Sequence, residues 1–185
     1  MQATLLVLAG GESRRMGRPK ALLPVAGRTL IEHVATRLRP DFEELLVAGA
    51  GTLPAALEAH RVEDRLPGAG PLAGIEAGLR AARHAIVFAV ACDMPRVTPQ
   101  LARSAVAGIP GFDAVVPRLS GRPEPVCAAY ARSALEPIAA FLDRGGRRAA
   151  EALDQLRVNW LEDVDPDELS SLNTSADYEA WLAAL

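Results

Sequence analysis

Two spacings of apolar residues alternate along this chain. Thr4–Leu8, Glu44–Ala48 and residues 85–91 are short, nearly unbroken apolar runs, the pattern of strands covered on both faces of a sheet. Residues 113–117, 126–131 and Val158–Leu161 read as further strands, with a polar loop at 118–125. Between these runs the period changes. Leu30, Ile31, Val34, Ala35 and Leu38 recur at helical spacing until Pro40 closes the segment. Residues 53–60 fit a short helix with Pro54 in its first turn. Residues 70–84 fit a longer one, whose small residues Ala73, Gly74, Ala77, Gly78 and Ala81 let it sit close to a sheet or a ligand. Thr98 caps a helix with Pro99 at its first position. Residues 133–143 and 147–156 are helical and split by Gly145-Gly146, and the capping box Thr174-Ser175-Ala176-Asp177 opens a last helix. Strands alternating with helices predict an α/β fold of three layers, doubly wound about a mostly parallel sheet. No repeat, linker or low-complexity stretch divides residues 1–185, so a single domain is expected.

Sheets of this kind bind ligands at the carboxyl ends of their strands. The stretch after the first strand is Leu-Ala-Gly-Gly-Glu-Ser-Arg-Arg-Met-Gly-Arg-Pro-Lys, Leu8 to Lys20. Gly10 and Gly11 carry no side chain, so a ligand can approach their backbone closely, and consecutive N–H groups in such a turn cradle anions. Arg14, Arg15, Arg18 and Lys20 follow, with Glu12 the one acid among them. A phosphate site for a nucleoside triphosphate fits this pattern; so does a plain strand-to-loop connection with solvated arginines. Asp93 follows the run at 85–91 and could hold a hard cation that bridges phosphate oxygens, or simply form the turn before Pro95. Two familiar phosphate loops fail. No glycine directly precedes Lys20 and Ala21 follows it, against the P-loop spacing, and Gly68-Ala69-Gly70-Pro71-Leu72-Ala73 fits the dinucleotide fingerprint without a strand directly before it.

Composition narrows the chemistry. A net charge of −3 leaves no general basic surface for nucleic acid or an anionic membrane, so any anion site must come from local clustering. The apolar run at 5–9 is too short to span a membrane and has no basic segment before it, so no signal peptide is expected and the cytoplasm is the expected compartment. Cys92 and Cys127 lie far apart in apolar surroundings, as buried free thiols of a reducing compartment do. His33, His60 and His84 stand alone on helix-like segments, and no histidine-centred catalysis is indicated.

Several separated stretches carry a more specific pattern. Leu8-Ala9-Gly10-Gly11-x-Ser13-x-Arg15-Met16-Gly17-x-x-Lys20-x-Leu22-Leu23 resembles the signature of small nucleotidyltransferases with a glycosyltransferase-A-like fold. Asp64 ahead of Gly70-Pro71-Leu72-Ala73-Gly74, then Ala91-Cys92-Asp93-Met94-Pro95, Leu142 to Arg148 and Leu172-Asn173-Thr174, resemble the molybdenum cofactor guanylyltransferase family within that class. Pro19 stands where that family commonly has an acid, and Ala48-Gly49-Ala50 where it has a polar asparagine. The resemblance implies GTP lying over Leu8, Ala9, Gly10 and Gly11, with backbone groups there reading the base and holding the triphosphate. It implies Lys20 on the phosphates, Arg15 stiffening the loop or touching the leaving pyrophosphate, and Asp64 as a second nucleotide contact. Asp93 would anchor Mg2+. The acceptor would be the phosphate of molybdopterin, whose oxygen needs no general base, with Arg147 and Asn173 as candidate acceptor contacts beside Arg118, Arg122, Arg144 and Arg148. Cofactor-insertion proteins or molybdoenzymes would be its protein partners. A cytidylyl or other nucleotidyltransferase, and a non-catalytic nucleotide-binding protein, are the competing readings.

Overall fold

The computed structural model describes residues 1–10, 19–49 and 54–185. In chain order the elements are β1 (Thr4–Leu8), β2 (Pro24–Val25), β3 (Arg28–Thr29), α1 (Leu30–Leu38), β4 (Glu44–Ala48), β5 (His60–Val62), α2 (Pro71–Ala81) and β6 (Ile86–Ala91). They continue as α3 (Pro99–Ala107), β7 (Ala114–Leu119), β8 (Arg122–Pro123), β9 (Cys127–Ala131), α4 (Leu135–Asp143), α5 (Ala149–Ala152), β10 (Val158–Leu161) and α6 (Ser175–Ala183).

The main sheet runs β10-β7-β9-β6-β1-β4-β5, with β8 paired to the end of β7. Its pairs are parallel except where β9 runs against both β6 and β7, and where β8 folds back on β7. Side chains alternate across each strand, which divides the core in two. Leu5, Val7, Val47, Phe88 and Val90 face α1 and α3, while Leu6, Leu8, Leu46, Ala89 and Val116 face α2 and α4. Both faces are therefore covered, which is why the strands read as unbroken apolar runs. The predicted three-layer α/β architecture is the one observed.

Register sets up the site. Leu8 pairs with Ala48 of β4 on one side and Ala91 of β6 on the other, so three strands end level at one edge. A small-residue helix packs against them. A Cβ added at Gly78 would come within 2.3 Å of Leu6 Cδ2, so α2 lies on β1 as closely as its glycines permit. Capping is as expected: Thr98 Oγ1 accepts from the Leu101 amide, and Thr174 forms a capping box with Asp177.

The expected elements differ from the observed ones in four places, the first being the helix at 147–156, of which only α5 and a following 3-10 turn, Leu153–Gln155, form. The helix at 53–60 shrinks to a 3-10 turn, Ala55–Leu57, and His60 instead starts the edge strand β5. Of that strand's three residues Val62 alone is buried, so no apolar run betrays it. The loop at 118–125 contains a hairpin, closed by Ser120 (φ 50) and Gly121 (φ 79), both left-handed as a type I′ turn requires. A second small hairpin, β2–β3, turns through Ala26 (φ 46) and Gly27 (φ 83). It packs with Leu30, Leu172 and Trp181 into a third, separate apolar cluster.

Candidate active site

Two constellations sit side by side at the level edge of β1, β4 and β6. The first is polar. Pro19 leads into a single 3-10 turn, Lys20–Leu22, which aims the Lys20 ammonium at the turn following β6. Its Nζ donates to Asp93 Oδ2 at 2.7 Å and to Asn173 Oδ1 at 3.1 Å. Residues 73 and 153 positions away in sequence thus meet on one cation. The Leu172 amide donates to the Asp93 carbonyl at 2.8 Å, which ties the C-terminal segment to the same turn. The Lys20 and Asp93 side chains keep about a fifth of their surface, 21% and 19%, so the pair is reachable from solvent.

Glu124 joins this group, and the sequence does not announce it. β9 runs antiparallel to β6 with Val90 opposite Cys127, and the Ala91 amide donates to the Val126 carbonyl at 2.9 Å. Past those pairs the two strands lead into the turn that carries Asp93 and the turn that carries Glu124, close enough for the Asp93 charge to act on the Glu124 carboxyl. Burial pushes the Glu124 carboxyl above its usual range, and the Asp93 charge adds to the shift against a backbone bond from Val126. A strand direction that only the folded sheet reveals brings this acid in.

The second constellation is a cavity of about 260 Å³ on the other side of Leu8, walled by Gly10, Gly49, Gly68, Gly70, Gly74 and Asp64. Glycine is required at two of these positions. Gly49 has φ +125 and a Cβ there would lie 2.4 Å from the Gly10 nitrogen. Gly70, the N-cap of α2, has φ +79. Asp64 projects into this cavity from the segment after β5, and its Oδ1 is buried with no hydrogen-bond partner among the described residues. Burial raises its pKa, and the charge of Glu76 raises it further. Glu76 is itself almost fully buried and accepts from Arg80 Nε at 3.1 Å, with Arg65 Nε 3.5 Å away; Arg65 also reaches Asp143 of α4 at 2.8 Å.

Leu8 joins the two constellations. Its side chain borders the cavity, and its carbonyl accepts from the Cys92 amide at 3.0 Å, one residue before Asp93. Gly10 and Asp93 therefore share one edge, as a common polyphosphate ligand demands. The Ala9 amide is already given to the Ala48 carbonyl at 2.7 Å, so what Ala9 offers a ligand is not that N–H. Gly11 and Arg15, with Arg14 and Arg18, lie outside the described residues. Arg147 is beside the cavity: its carbonyl is 3.8 Å from where a Gly70 Cβ would be, while its Nη1 donates to the carbonyls of Leu142 and Gly146 at the end of α4. Arg118 pairs with Glu162 and stacks 4.7 Å over Trp160, and Arg148 pairs with Glu151. Both cysteines are free and buried, Cys92 with its thiol pushed up to about 12, which keeps it protonated and unreactive at neutral pH.

A doubly wound sheet that ends in a glycine-walled cavity and a lysine–carboxylate pair defines a nucleotidyltransferase. The particular family follows from comparison. Residues 5–162 match the family described as the MobA-like NTP transferase domain, and the chain belongs to it. A relative from Carboxydothermus hydrogenoformans, named "Probable molybdenum cofactor guanylyltransferase", is 36% identical over 97% of this chain and 94% of its own length. The molybdenum cofactor guanylyltransferase of Desulfosudis oleivorans is 33% identical over 98% of this chain and 95% of its own. Among solved structures, the molybdopterin-guanine dinucleotide biosynthesis protein A of Archaeoglobus fulgidus superposes with a TM-score of 0.84 at 27% identity, covering 98% of this chain and 97% of that one.

Proposed function

We propose that this enzyme transfers GMP from GTP to the terminal phosphate of molybdopterin, releasing pyrophosphate and forming a guanine dinucleotide cofactor. The observation that carries the choice of base is the unpartnered Asp64 Oδ1 in the glycine-walled cavity. An ionised carboxylate only accepts hydrogen bonds. Guanine presents two adjacent donors, N1–H and the 2-amino group, which one carboxylate can take together. Cytosine sets the acceptor N3 beside its amino group and would leave one carboxylate oxygen facing a lone pair. The names of the relatives point the same way.

With the base there, the triphosphate extends past Leu8 toward Lys20. A phosphate oxygen of the acceptor attacks the α-phosphorus, forming a P–O bond as the bond from the α-phosphorus to the bridging oxygen breaks and its electron pair leaves on pyrophosphate. The attacking oxygen is already anionic, so no side chain needs to remove a proton. Lys20 offsets charge on the phosphates, and Asn173 helps keep its ammonium in place. Arg15 and Gly11, outside the described residues, are assigned to the phosphates, Arg15 to stiffen the loop or touch the leaving pyrophosphate. Asn173, beside Lys20, is the candidate acceptor contact, whereas Arg147 lies by the base cavity instead. Catalysis is then positioning and charge stabilisation.

The donor set suits magnesium. Asp93 and Asn173 offer hard oxygen atoms, and among the described residues no group of three or more His, Cys, Asp or Glu could cage an ion alone. Mg2+ is commonly held by one or two carboxylates together with substrate phosphates and water. Bound at Asp93, it would supply charge neutralisation at the α-phosphate. We place the reaction in the cytoplasm, with cofactor-insertion proteins or molybdoenzymes receiving the product.

Competition binding of GTP against CTP, ATP and UTP with magnesium, followed by pyrophosphate release with GTP and molybdopterin, tests the proposal. Preference for GTP and release of pyrophosphate are expected. Preference for CTP would replace guanylyl with cytidylyl transfer, and binding without release would make the chain a non-catalytic partner.

A further inference from the structure

The last helix of the chain is held down almost entirely by one side chain. Of the nine residues of α6, Trp181 alone is buried, at 4% exposure, with Tyr178 and Leu182 packed partly beside it. A helix this short is marginal without tertiary contacts. Trp181 enters neither of the two large cores that flank the sheet. It belongs to the small cluster of Leu23, Val25, Leu30 and Leu172, and His33 of α1 meets its ring edge-on at 5.2 Å. The Tyr178 hydroxyl donates to the Pro24 carbonyl, fixing α6 to the β2–β3 hairpin.

Two segments of this cluster lead into the active site. Leu23 directly follows the Lys20–Leu22 turn, and Leu172 stands between its amide bond to the Asp93 carbonyl and Asn173, which accepts from Lys20. We infer that Trp181 and Tyr178 are positioning residues: docking of α6 on the hairpin holds Lys20 and Asn173 against Asp93, so this contact governs turnover and not base binding. This inference rests on the reading under Proposed function. The cavity at Asp64 lies on the α2 side of the sheet and shares no residue with the cluster. A displacement of about 1 Å at reacting groups is enough to cost ~100-fold in rate.

The test compares wild type, Trp181→Ala, Trp181→Phe and Tyr178→Phe in three measurements: kcat for pyrophosphate release with GTP and molybdopterin, Kd for GTP by calorimetry, and hydrogen exchange of residues 19–25 and 172–174. Trp181→Ala is expected to lower kcat ~10–100-fold and speed exchange in those two segments, with Kd for GTP within about threefold of wild type. Trp181→Phe, which keeps an aromatic anchor, should restore most of the rate. Should the alanine variant fail to fold, Tyr178→Phe removes the hydroxyl bond alone and is expected to lower kcat about threefold or more at unchanged Kd. Unchanged kcat in the folded variants, or kcat and GTP affinity falling together, overturns the inference. Wild type that binds no GTP overturns instead the reading of the nucleotide.

Discussion

Asp64 and Asp93 are chemically the same residue at the same edge of one sheet, and their partners give them different work. Asp93 meets a lysine at 2.7 Å, whereas the Oδ1 of Asp64 meets nothing among the described residues and is kept buried. Leaving a buried acceptor unsatisfied costs about 1–3 kcal/mol, which a ligand bearing N–H donors recovers on binding. Asp64→Asn replaces one of two acceptors with an amide that donates toward the base. It is expected to weaken GTP about 10–100-fold, equivalent to roughly 1.4–2.8 kcal/mol, while leaving CTP little changed; calorimetric titration of both nucleotides checks this. Lys20→Met removes charge from the phosphates without reaching the base, so kcat should drop ~10²–10³-fold with a smaller change in GTP affinity. Lys20 and Asp93 are legible in the sequence because one follows a glycine turn and the other a strand, whereas Asp64, behind a strand too short to show a period, is legible through the family resemblance alone. Glu124 and Glu76 are not. The first depends on β9 running against β6, and the second is an acid on a helix face that reads as buried only once Arg65 and Arg80 are seen beside it.

Elements whose stability comes from both faces of the sheet announce themselves; those anchored by one or two residues do not. β1, β4 and β10 appear at their expected limits, whereas β5 and the two hairpins are too short to show a period. The small-residue stripe of α2 was legible as a capacity for close approach, and the structure gives its consequence. Gly78→Ala would improve helix propensity by up to about 1 kcal/mol, yet its methyl must displace fully buried Leu6, for which overpacking costs roughly 1–3 kcal/mol. Net destabilisation in denaturant unfolding is expected. The α1–α6 contact adds a pH dependence. Nε2 of His33 is buried without a partner among the described residues, and burial, then the charges of Arg37 and Arg28, hold its pKa below 6.5. The unfolded imidazole takes up its proton near pH 6.5, the folded one only at lower pH. As pH falls through 6.5 the unfolded state therefore binds a proton the folded state lacks, and stability declines until the folded pKa is passed. His33→Phe should show a smaller loss of unfolding free energy than wild type between about pH 7 and 5.5.

Across the whole molecule, the base cavity and the lysine–carboxylate cluster flank the end of β1, so a ligand that spans them couples parts of the fold that otherwise meet through Leu8. Such a ligand stabilises the folded state by mass action. At about 100 times its Kd, GTP with magnesium should contribute ~2.7 kcal/mol and raise Tm by roughly 5–10 °C in a chain of this size. The donor set determines how that gain divides. One carboxylate and an amide oxygen hold a hydrated ion weakly by themselves, so magnesium alone should shift Tm by less than about 1 °C. GTP without magnesium retains the base contact but competes with Asp93 for the single Lys20 ammonium and brings its phosphates near that carboxylate, so its shift should be smaller than that of the pair. Asp93→Asn removes both the repulsion and the anchor. Its Tm should then rise with GTP equally whether magnesium or a chelator is present, while turnover falls ~10²–10³-fold. Thermal unfolding of the two proteins under the four ligand conditions separates these effects. A full shift from magnesium alone, or a magnesium increment that survives in Asp93→Asn, would place the ion elsewhere and detach Asp93 from the phosphates.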